Sequence, residues 1–192
     1  MVNRDLAYFE SIPWCATLLN DPKYVIMPTH CREPQAGGMH SLFAETLKTD
    51  RTISACLSLY KKPAASDARI EETKTLLAIG SGVNGYAHIC HGGIVATVLD
   101  EAMGILDLAI KDREDEVIRA AGGLAERVAT FTVELVVKYL KPVTTPQIVC
   151  ATARISKIQG RKFWMKATIE DKSGIVLAMG EGIFVQKPWG KL

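Results

Sequence analysis

A twenty-residue stretch, residues 91–110, constrains the fold more than any other part of this chain. It opens with a histidine and two glycines, His91 to Gly93, and then stays apolar except near the acid pair Asp100 and Glu101. The apolar band is wider than a surface helix needs, and the stretch is too long for one strand. Acids this close to the centre exclude a membrane span. The stretch therefore predicts a long, buried α-helix.

Two parts of this helix are suited to chemistry. The first amides of a helix have no partner within it and carry partial positive charge, so Gly92 and Gly93 can polarise a carbonyl oxygen. Asp100 lies nine positions after His91, which is roughly 13 Å along the helix and on its opposite face. One helix cannot easily present both groups to the same small atom. This geometry favours a site shared across a two-fold dimer interface.

Composition limits the class of protein. The chain has 192 residues, of which 48% are hydrophobic and 23% charged, which indicates one globular domain with a sizeable core. The net charge of +2 gives no sign of nucleic-acid binding. Neither a secretory signal nor a membrane span is evident, so a cytoplasmic location is expected, with a mitochondrial one left open. Five cysteines without a CxxC pair argue for reduced thiols and against a zinc site.

The first 50 residues read as an extension. Residues 3–20 predict one or two short helices that pack over the domain or over a partner subunit, and Pro13 interrupts them. Residues 21–38 contain three prolines and a glycine pair, which predicts an extended loop. Residues 41–47 predict one more short helix. We divide the chain into an N-terminal extension, residues 1–50, and a main domain, residues 51–187.

The main domain alternates strand signals with the one long helix. Small and apolar residues alternate from residue 53 to residue 59, which predicts a half-buried strand. A glycine-rich loop, residues 80–90, precedes the helix, and the charged residues 111–116 predict a turn or a solvated face after it. Further strands are predicted at residues 73–81, 128–140, 147–158, 162–170 and 174–186. The pattern is that of an α+β domain, a curved antiparallel sheet around a buried helix.

Three motifs carry a resemblance to a known family. The His-Gly-Gly start followed by Asp100 nine positions after His91 resembles the central helix of hotdog-fold acyl-CoA thioesterases of the PaaI type, in the thioesterase superfamily. The end of the strand at residues 139–142 is similar to that family's aromatic-x-basic-Pro pattern. The segment at residues 159–164 resembles a hairpin of mitochondrial-type, long-chain acyl-CoA thioesterases. The resemblance covers about residues 74–186 and implies the hotdog fold.

The resemblance implies roles for individual residues. Asp100 would act as the base that activates water or as the attacking carboxylate, with Glu101 as its rival. The Gly92 and Gly93 amides would polarise the thioester carbonyl, and His91 would orient the loop or the thioester. Thr132 would help to hold the water, with Thr130 as the alternative on the same strand face. The predicted catalytic set is Asp100, Gly92, Gly93, His91 and Thr132.

Substrate contacts are implied as well. The family often has an asparagine in the loop before the glycines, and Asn84 is the candidate, although its spacing is one residue longer. Four cations suit the phosphates of coenzyme A: Lys138, Lys141, Arg161 and Lys162.

The expected function is hydrolysis of an acyl-CoA thioester in fatty acid metabolism by a homodimer or a dimer of dimers. No cofactor is expected, because coenzyme A is part of the substrate, and neither nucleic acid nor membrane is an expected partner. Three alternatives stay open. They are an enoyl-CoA hydratase or dehydratase on the same fold, a non-catalytic acyl-CoA-binding protein, and a thioesterase for carrier-protein-bound polyketide chains.

Overall fold

The computed structural model describes residues 2–65, 68–124 and 128–188, which form one sheet around a long helix. The helices are α1 (Val2–Glu10), α2 (Pro13–Leu19) and α3 (Gly92–Ala120). The strands are β1 (Tyr24–Met27), β2 (Ile53–Lys61), β3 (Glu72–Ile79), β4 (Asn84–Tyr86), β5 (Ile89–Cys90), β6 (Val128–Tyr139), β7 (Gln147–Gln159), β8 (Lys162–Glu170) and β9 (Val176–Pro188). Seven of them form an antiparallel sheet in the order β1-β2-β3-β7-β8-β9-β6, and β4 pairs with β5.

Helix α3 fills the inner face of the sheet. Leu99, Met103, Leu106 and Ile110 have no exposed surface, and they belong to one core with the inward side chains of β3, β7, β8 and β9. The predicted architecture, the hotdog fold, is therefore confirmed, and the strands predicted in residues 51–187 are found to within two residues. Among the described residues, no helix is long and apolar enough to cross a membrane.

The C-terminal turns of α3 decide between two predictions for the charged stretch. Residues 111–116 were expected to form a turn or a solvated face, and they form a solvated part of the helix, which continues through them to Ala120. Ion pairs at helical spacing accompany the extension: Lys111 with Asp107 at 2.6 Å, and Arg119 with Asp115 at 3.2 Å. Such pairs favour helix where the sequence offers no apolar stripe.

Strand β2 is buried on both faces rather than on one. A bulge after Ile53 places Ile53 with Cys56 in the core around α3, whereas Ala55 and Leu57 face the opposite side. That opposite side is covered by α1 and α2, whose Phe9 and Cys15 are fully buried. The helical extension therefore packs on the outer face of its own domain, and the alternation in the sequence did not show that a second layer was present.

The sheet begins earlier than the sequence indicated. We expected its first strand near residue 51 and a loop at residues 21–38, but Tyr24 to Met27 form β1 and pair with β2, with Ile26 opposite Leu59. The four-residue strand was too short to give a periodic signal. The division of the chain at residue 50 stays a prediction.

The segment between β1 and β2 is fixed by a buried arginine. Arg32 is 4% exposed, and its guanidinium donates to the carbonyls of Phe43 at 2.9 Å, Leu47 at 3.2 Å and Ile53 at 2.7 Å. These bonds hold the short π-helical turn Leu42–Thr46, near the predicted helix at residues 41–47, against the start of β2. Phe43 and Leu47 of this segment belong to the core around α3.

Replacing Arg32 with alanine is expected to lower the free energy of unfolding by about 3 kcal/mol, because three buried carbonyls lose their donors. Urea denaturation would measure the change. Arg4→Ala removes an exposed arginine from α1 and serves as the control, with an expected change of at most about 0.5 kcal/mol. A loss below about 1 kcal/mol for Arg32→Ala would contradict this role.

Candidate active site

The N-terminus of α3 is capped by the histidine that precedes it. The Gly93 amide donates to Nδ1 of His91 at 3.0 Å, and the amides of Ile94 and Val95 donate to the His91 carbonyl at 2.9 and 3.1 Å. A ring nitrogen that accepts a hydrogen bond carries no proton, so in this neutral ring the proton is on Nε2. His91 is exposed, and its Nε2–H can therefore donate to a ligand.

The two predicted glycine donors differ in this arrangement. The Gly93 amide is engaged by His91, whereas the Gly92 amide has no acceptor among the residues that the structure describes. Gly92 also lines a cavity of about 330 Å³ at the helix start. The lining residues are Ile89, Cys90, Gly92, Val95, Tyr139, Leu140, Lys141, Pro142 and Val143. Of the two glycine amides, the Gly92 amide is therefore the one that can donate a hydrogen bond to a ligand.

Asp100 lies beside one of its two predicted partners. Thr132 Oγ1 donates to Asp100 Oδ1 at 2.9 Å, which joins the middle of α3 to β6. Thr130, on the same face of β6, instead accepts from Lys111 Nζ at 2.5 Å. Of the two threonines that the resemblance offered, the first choice, Thr132, is therefore the one that contacts the aspartate. The second oxygen of Asp100 stays available for a water molecule or a substrate.

The neighbouring acid faces a different part of the core. Glu101 lines a small cavity with Cys31, Phe43 and Cys56, on the side of α3 that faces β2 and β3. Burial raises the pKa of Glu101, a hydrogen bond with Cys31 opposes this shift, and the charge of Asp100 adds to it. Glu101 is thus directed away from Thr132, and only Asp100 of the two acids faces β6.

Two residues around the loop before α3 have structural contacts. Asn84 Oδ1 accepts a hydrogen bond from Thr145 Oγ1, a buried threonine that the sequence gave no reason to single out. Gly85 lies against the His91 ring, since a Cβ there would be 2.8 Å from Cδ2 of His91. Burial raises the pKa of the Cys90 thiol to about 11, so this thiol stays protonated and is a poor nucleophile.

The sequence comparisons identify the family. A model of the thioesterase superfamily matches residues 87–178, which contain α3 and the strands beside it. This segment belongs to the thioesterase superfamily. Verlamelin biosynthesis protein B from a Lecanicillium species is 26% identical to the chain over 205 residues, which cover 95% of this chain and 88% of that protein.

Solved structures share the fold of this thioesterase-superfamily domain. A hypothetical thioesterase protein from Streptococcus pneumoniae TIGR4, solved with coenzyme A, matches with a TM-score of 0.51 and 14% identity, over 68% of this chain and 86% of that chain. The protein smu.793 from Streptococcus mutans UA159, bound to acetyl CoA, matches with a TM-score of 0.50 and 12% identity, over 62% and 82% of the two chains. At these identities the likeness concerns the fold.

The predicted catalytic residues of the thioesterase-superfamily domain fall into two separate groups. Asp100 is joined to Thr132, whereas Gly92 is joined to Tyr139, whose hydroxyl donates to the Gly92 carbonyl at 3.0 Å. Thr132 and Tyr139 both face α3 but lie seven residues apart on β6, about 20 Å along an extended strand. Gly92 and Asp100 are themselves about 12 Å apart along α3. One protomer therefore does not bring both groups to one carbonyl.

The four predicted phosphate-binding cations are also divided. Lys141 lines the cavity beside Gly92, whereas Lys138 lines a groove of about 380 Å³ on the outer face of the sheet. Arg161 and Lys162 form the turn between β7 and β8, next to the start of β6 and far from the cavity, with Lys162 opposite Val185. Within one protomer, only Lys141 accompanies the Gly92 amide.

Proposed function

We propose that this protein hydrolyses acyl-CoA thioesters and that each active site is built from two copies of the chain. The observation that carries the proposal is the separation of two half-sites along β6. One half-site holds a free helix amide beside a cavity, and the other holds a carboxylate paired with a threonine. Coenzyme A belongs to the substrate in this proposal, and no further cofactor takes part.

Strand β6 supports dimerisation through its open edge. It is the last strand of the sheet and pairs only with β9 among the described residues, so its other edge has backbone groups free to bind a further strand. Several large apolar side chains along it are exposed in the protomer: Phe131, Val133, Val136, Tyr139 and Leu140. Antiparallel pairing of two β6 strands would satisfy the backbone and cover these side chains.

The bulge in β6 is compatible with a register in which the two half-sites meet. Val133 is unpaired in the register with β9, which goes from Thr132 opposite Phe184 directly to Glu134 opposite Ile183. If the two-fold axis passes through Val136 and the bulge is kept, Thr132 of one protomer lies opposite Tyr139 of the other. Both side chains face the α3 layer, so this register brings the Asp100 half-site of one copy to the Gly92 half-site of its partner.

The chemistry follows from the groups that then meet. The Gly92 amide and the Nε2–H of His91 would stabilise the negative charge that develops on the thioester oxygen. Asp100 of the other copy would take a proton from a water molecule held with Thr132, and the water oxygen would attack the carbonyl carbon. The carbon–sulfur bond then breaks, and the proton that Asp100 took from water passes to the coenzyme A thiolate, which restores the carboxylate. Direct attack by Asp100 through an anhydride is the alternative route.

The same pairing would bring three of the four predicted phosphate-binding cations close together. The turn that carries Arg161 and Lys162 lies at the end of the sheet where β6 begins, and antiparallel pairing places it near the partner's helix start. Lys141 of one copy and Arg161 and Lys162 of the other would then face the phosphates of coenzyme A. Lys138 on the outer face is not directed into this cavity.

The substrate carrier is a separate question, because coenzyme A and carrier proteins present the same thioester. Carrier-protein-bound chains are therefore the second candidate substrate. A thiol-release assay with short, long and aromatic acyl-CoA esters, run in parallel with the matching carrier-bound esters, would rank the two. Free thiol from at least one class is expected. Tight binding without release, or hydration of an enoyl-CoA alone, would contradict the proposal.

Mixing two inactive variants tests the shared site. Gly92→Pro removes the amide hydrogen at the first helical position, where proline is favoured, and His91 already has the extended backbone (φ −60°, ψ 133°) that a following proline requires. We expect Gly92→Pro and Asp100→Asn each to be nearly inactive. After subunit exchange, about a quarter of wild-type activity should return, because half of the dimers are mixed and each has one intact site.

Controls for this experiment separate sterics from chemistry. Gly92→Ala keeps the amide hydrogen, and its Cβ would lie 3.5 Å from the Tyr139 ring, an ordinary contact, so it should retain more activity than Gly92→Pro. Mass spectrometry under non-denaturing conditions would confirm that mixed dimers have formed. Mixed dimers without recovered activity would show that the two groups act within one protomer.

A further inference from the structure

We propose that Tyr139 is a positioning residue that holds the Gly92–Gly93 peptide unit and, through it, the His91 ring at the start of α3; this inference rests on the proposed function. Its hydroxyl donates to the Gly92 carbonyl at 3.0 Å, and its ring lies over the Gly92 Cα, where a Cβ would be 3.5 Å from Cε1. Tyr139 is 56% exposed in the protomer and lines the cavity beside Gly92. Packing in the protomer's core therefore does not explain the aromatic residue here, and covering of its ring in the proposed dimer does not explain the hydroxyl bond to Gly92.

The peptide unit between Gly92 and Gly93 is held at both ends. Tyr139 binds its carbonyl oxygen, and Nδ1 of His91 accepts from its N–H at 3.0 Å. Two glycines in succession have the largest conformational freedom of any pair of residues, so an unrestrained helix start here would reorient easily. The tyrosine bond limits that freedom for the Gly92–Gly93 unit, whereas the preceding unit, which carries the Gly92 N–H, is held by the bonds from the Ile94 and Val95 amides to the His91 carbonyl.

The hydrogen bond from Tyr139 also affects the histidine ring, through the peptide unit that both residues bind. A carbonyl that accepts a hydrogen bond polarises its own peptide unit, which strengthens donation by the N–H of that unit. Here this N–H is the Gly93 amide, so the tyrosine bond supports the acceptor role of Nδ1 and leaves the proton on Nε2. Tyr139 thus acts on His91 through one peptide unit and without touching it.

The test removes only the hydroxyl. For Tyr139→Phe, we expect kcat to fall by about tenfold and KM to stay within about twofold, a smaller loss than removal of an oxyanion donor itself produces. The ¹⁵N shifts of the His91 imidazole should move towards a mixture of the two neutral tautomers, which a purely structural role would not cause. The dimer mass and the melting temperature should stay unchanged.

Tyr8→Phe is the matched control, since Tyr8 is an exposed tyrosine on α1, on the outer face of the sheet, and its kcat should equal that of wild type. Wild-type kcat and unchanged imidazole shifts in Tyr139→Phe would overturn the positioning role, even with Asp100→Asn inactive. If the wild-type protein hydrolyses no thioester, the proposed function fails, and the imidazole shifts alone decide whether Tyr139 controls the His91 tautomer.

Discussion

Replacing Asp100 with asparagine is expected to lower kcat for thioester hydrolysis by about 10³-fold, because the variant keeps the size of the side chain and loses its basicity. Thr132 can still donate to the remaining carbonyl oxygen of the amide, so the contact between α3 and β6 is preserved. KM should change little, since the carboxylate acts on water rather than on the bound ester. A thiol-release assay at saturating substrate would measure the loss.

Two further variants serve as a control and as a test of the rival acid. Asp50→Asn changes an exposed aspartate outside the site and should keep wild-type turnover. Glu101→Gln tests the rival acid, which faces Cys31 rather than β6, and its kcat should stay within about threefold of wild type. Wild-type turnover by Asp100→Asn on every active ester would contradict the assignment. A large loss in Glu101→Gln alone would transfer the role to Glu101.

The sequence was sufficient for the parts of the site that depend on local spacing. Positions along one helix and one strand have fixed periods, so the distance from His91 to Asp100 and the strand face shared by Thr130 and Thr132 could be worked out before the structure. The structure then distinguished the two threonines, because Lys111 donates a hydrogen bond to Thr130 and Thr132 donates one to Asp100. This lysine lies in the charged stretch for which the sequence left a turn and a solvated face open, and only the helix shows that its side chain reaches Thr130.

Contacts between distant segments gave no such signal. Neither the bond from Tyr139 to Gly92, across 47 positions, nor the bond from Thr145 to Asn84, across 61 positions, follows from any periodic pattern. The sequence also did not predict that His91 would engage the Gly93 amide and leave the Gly92 amide available, because this depends on the ring orientation of His91. Strand β1 and the burial of both faces of β2 were missed for a related reason: layers added by distant segments change burial without changing local alternation.

Replacing Val136 with lysine is expected to convert the dimer to monomers and to reduce kcat/KM by about 100-fold. Val136 is 50% exposed in the protomer, so a lysine there should leave the fold intact. In the proposed register the two-fold axis passes through this position, which would place two ammonium groups opposite each other in the pair of β6 strands. Activity falls with dissociation, because each Gly92 amide loses the carboxylate that its partner supplies.

Sedimentation velocity would measure the mass, and Val117→Lys is the matched control because Val117 has similar exposure, 48%, on the last turns of α3. Val136→Cys gives the complementary result: oxidation should link two protomers, since all five native cysteines are free and buried and cannot compete. A monomeric Val136→Lys variant with wild-type activity would show that one protomer suffices. A fully active dimer would show that the copies meet elsewhere, and the two half-sites on β6 would then need another explanation.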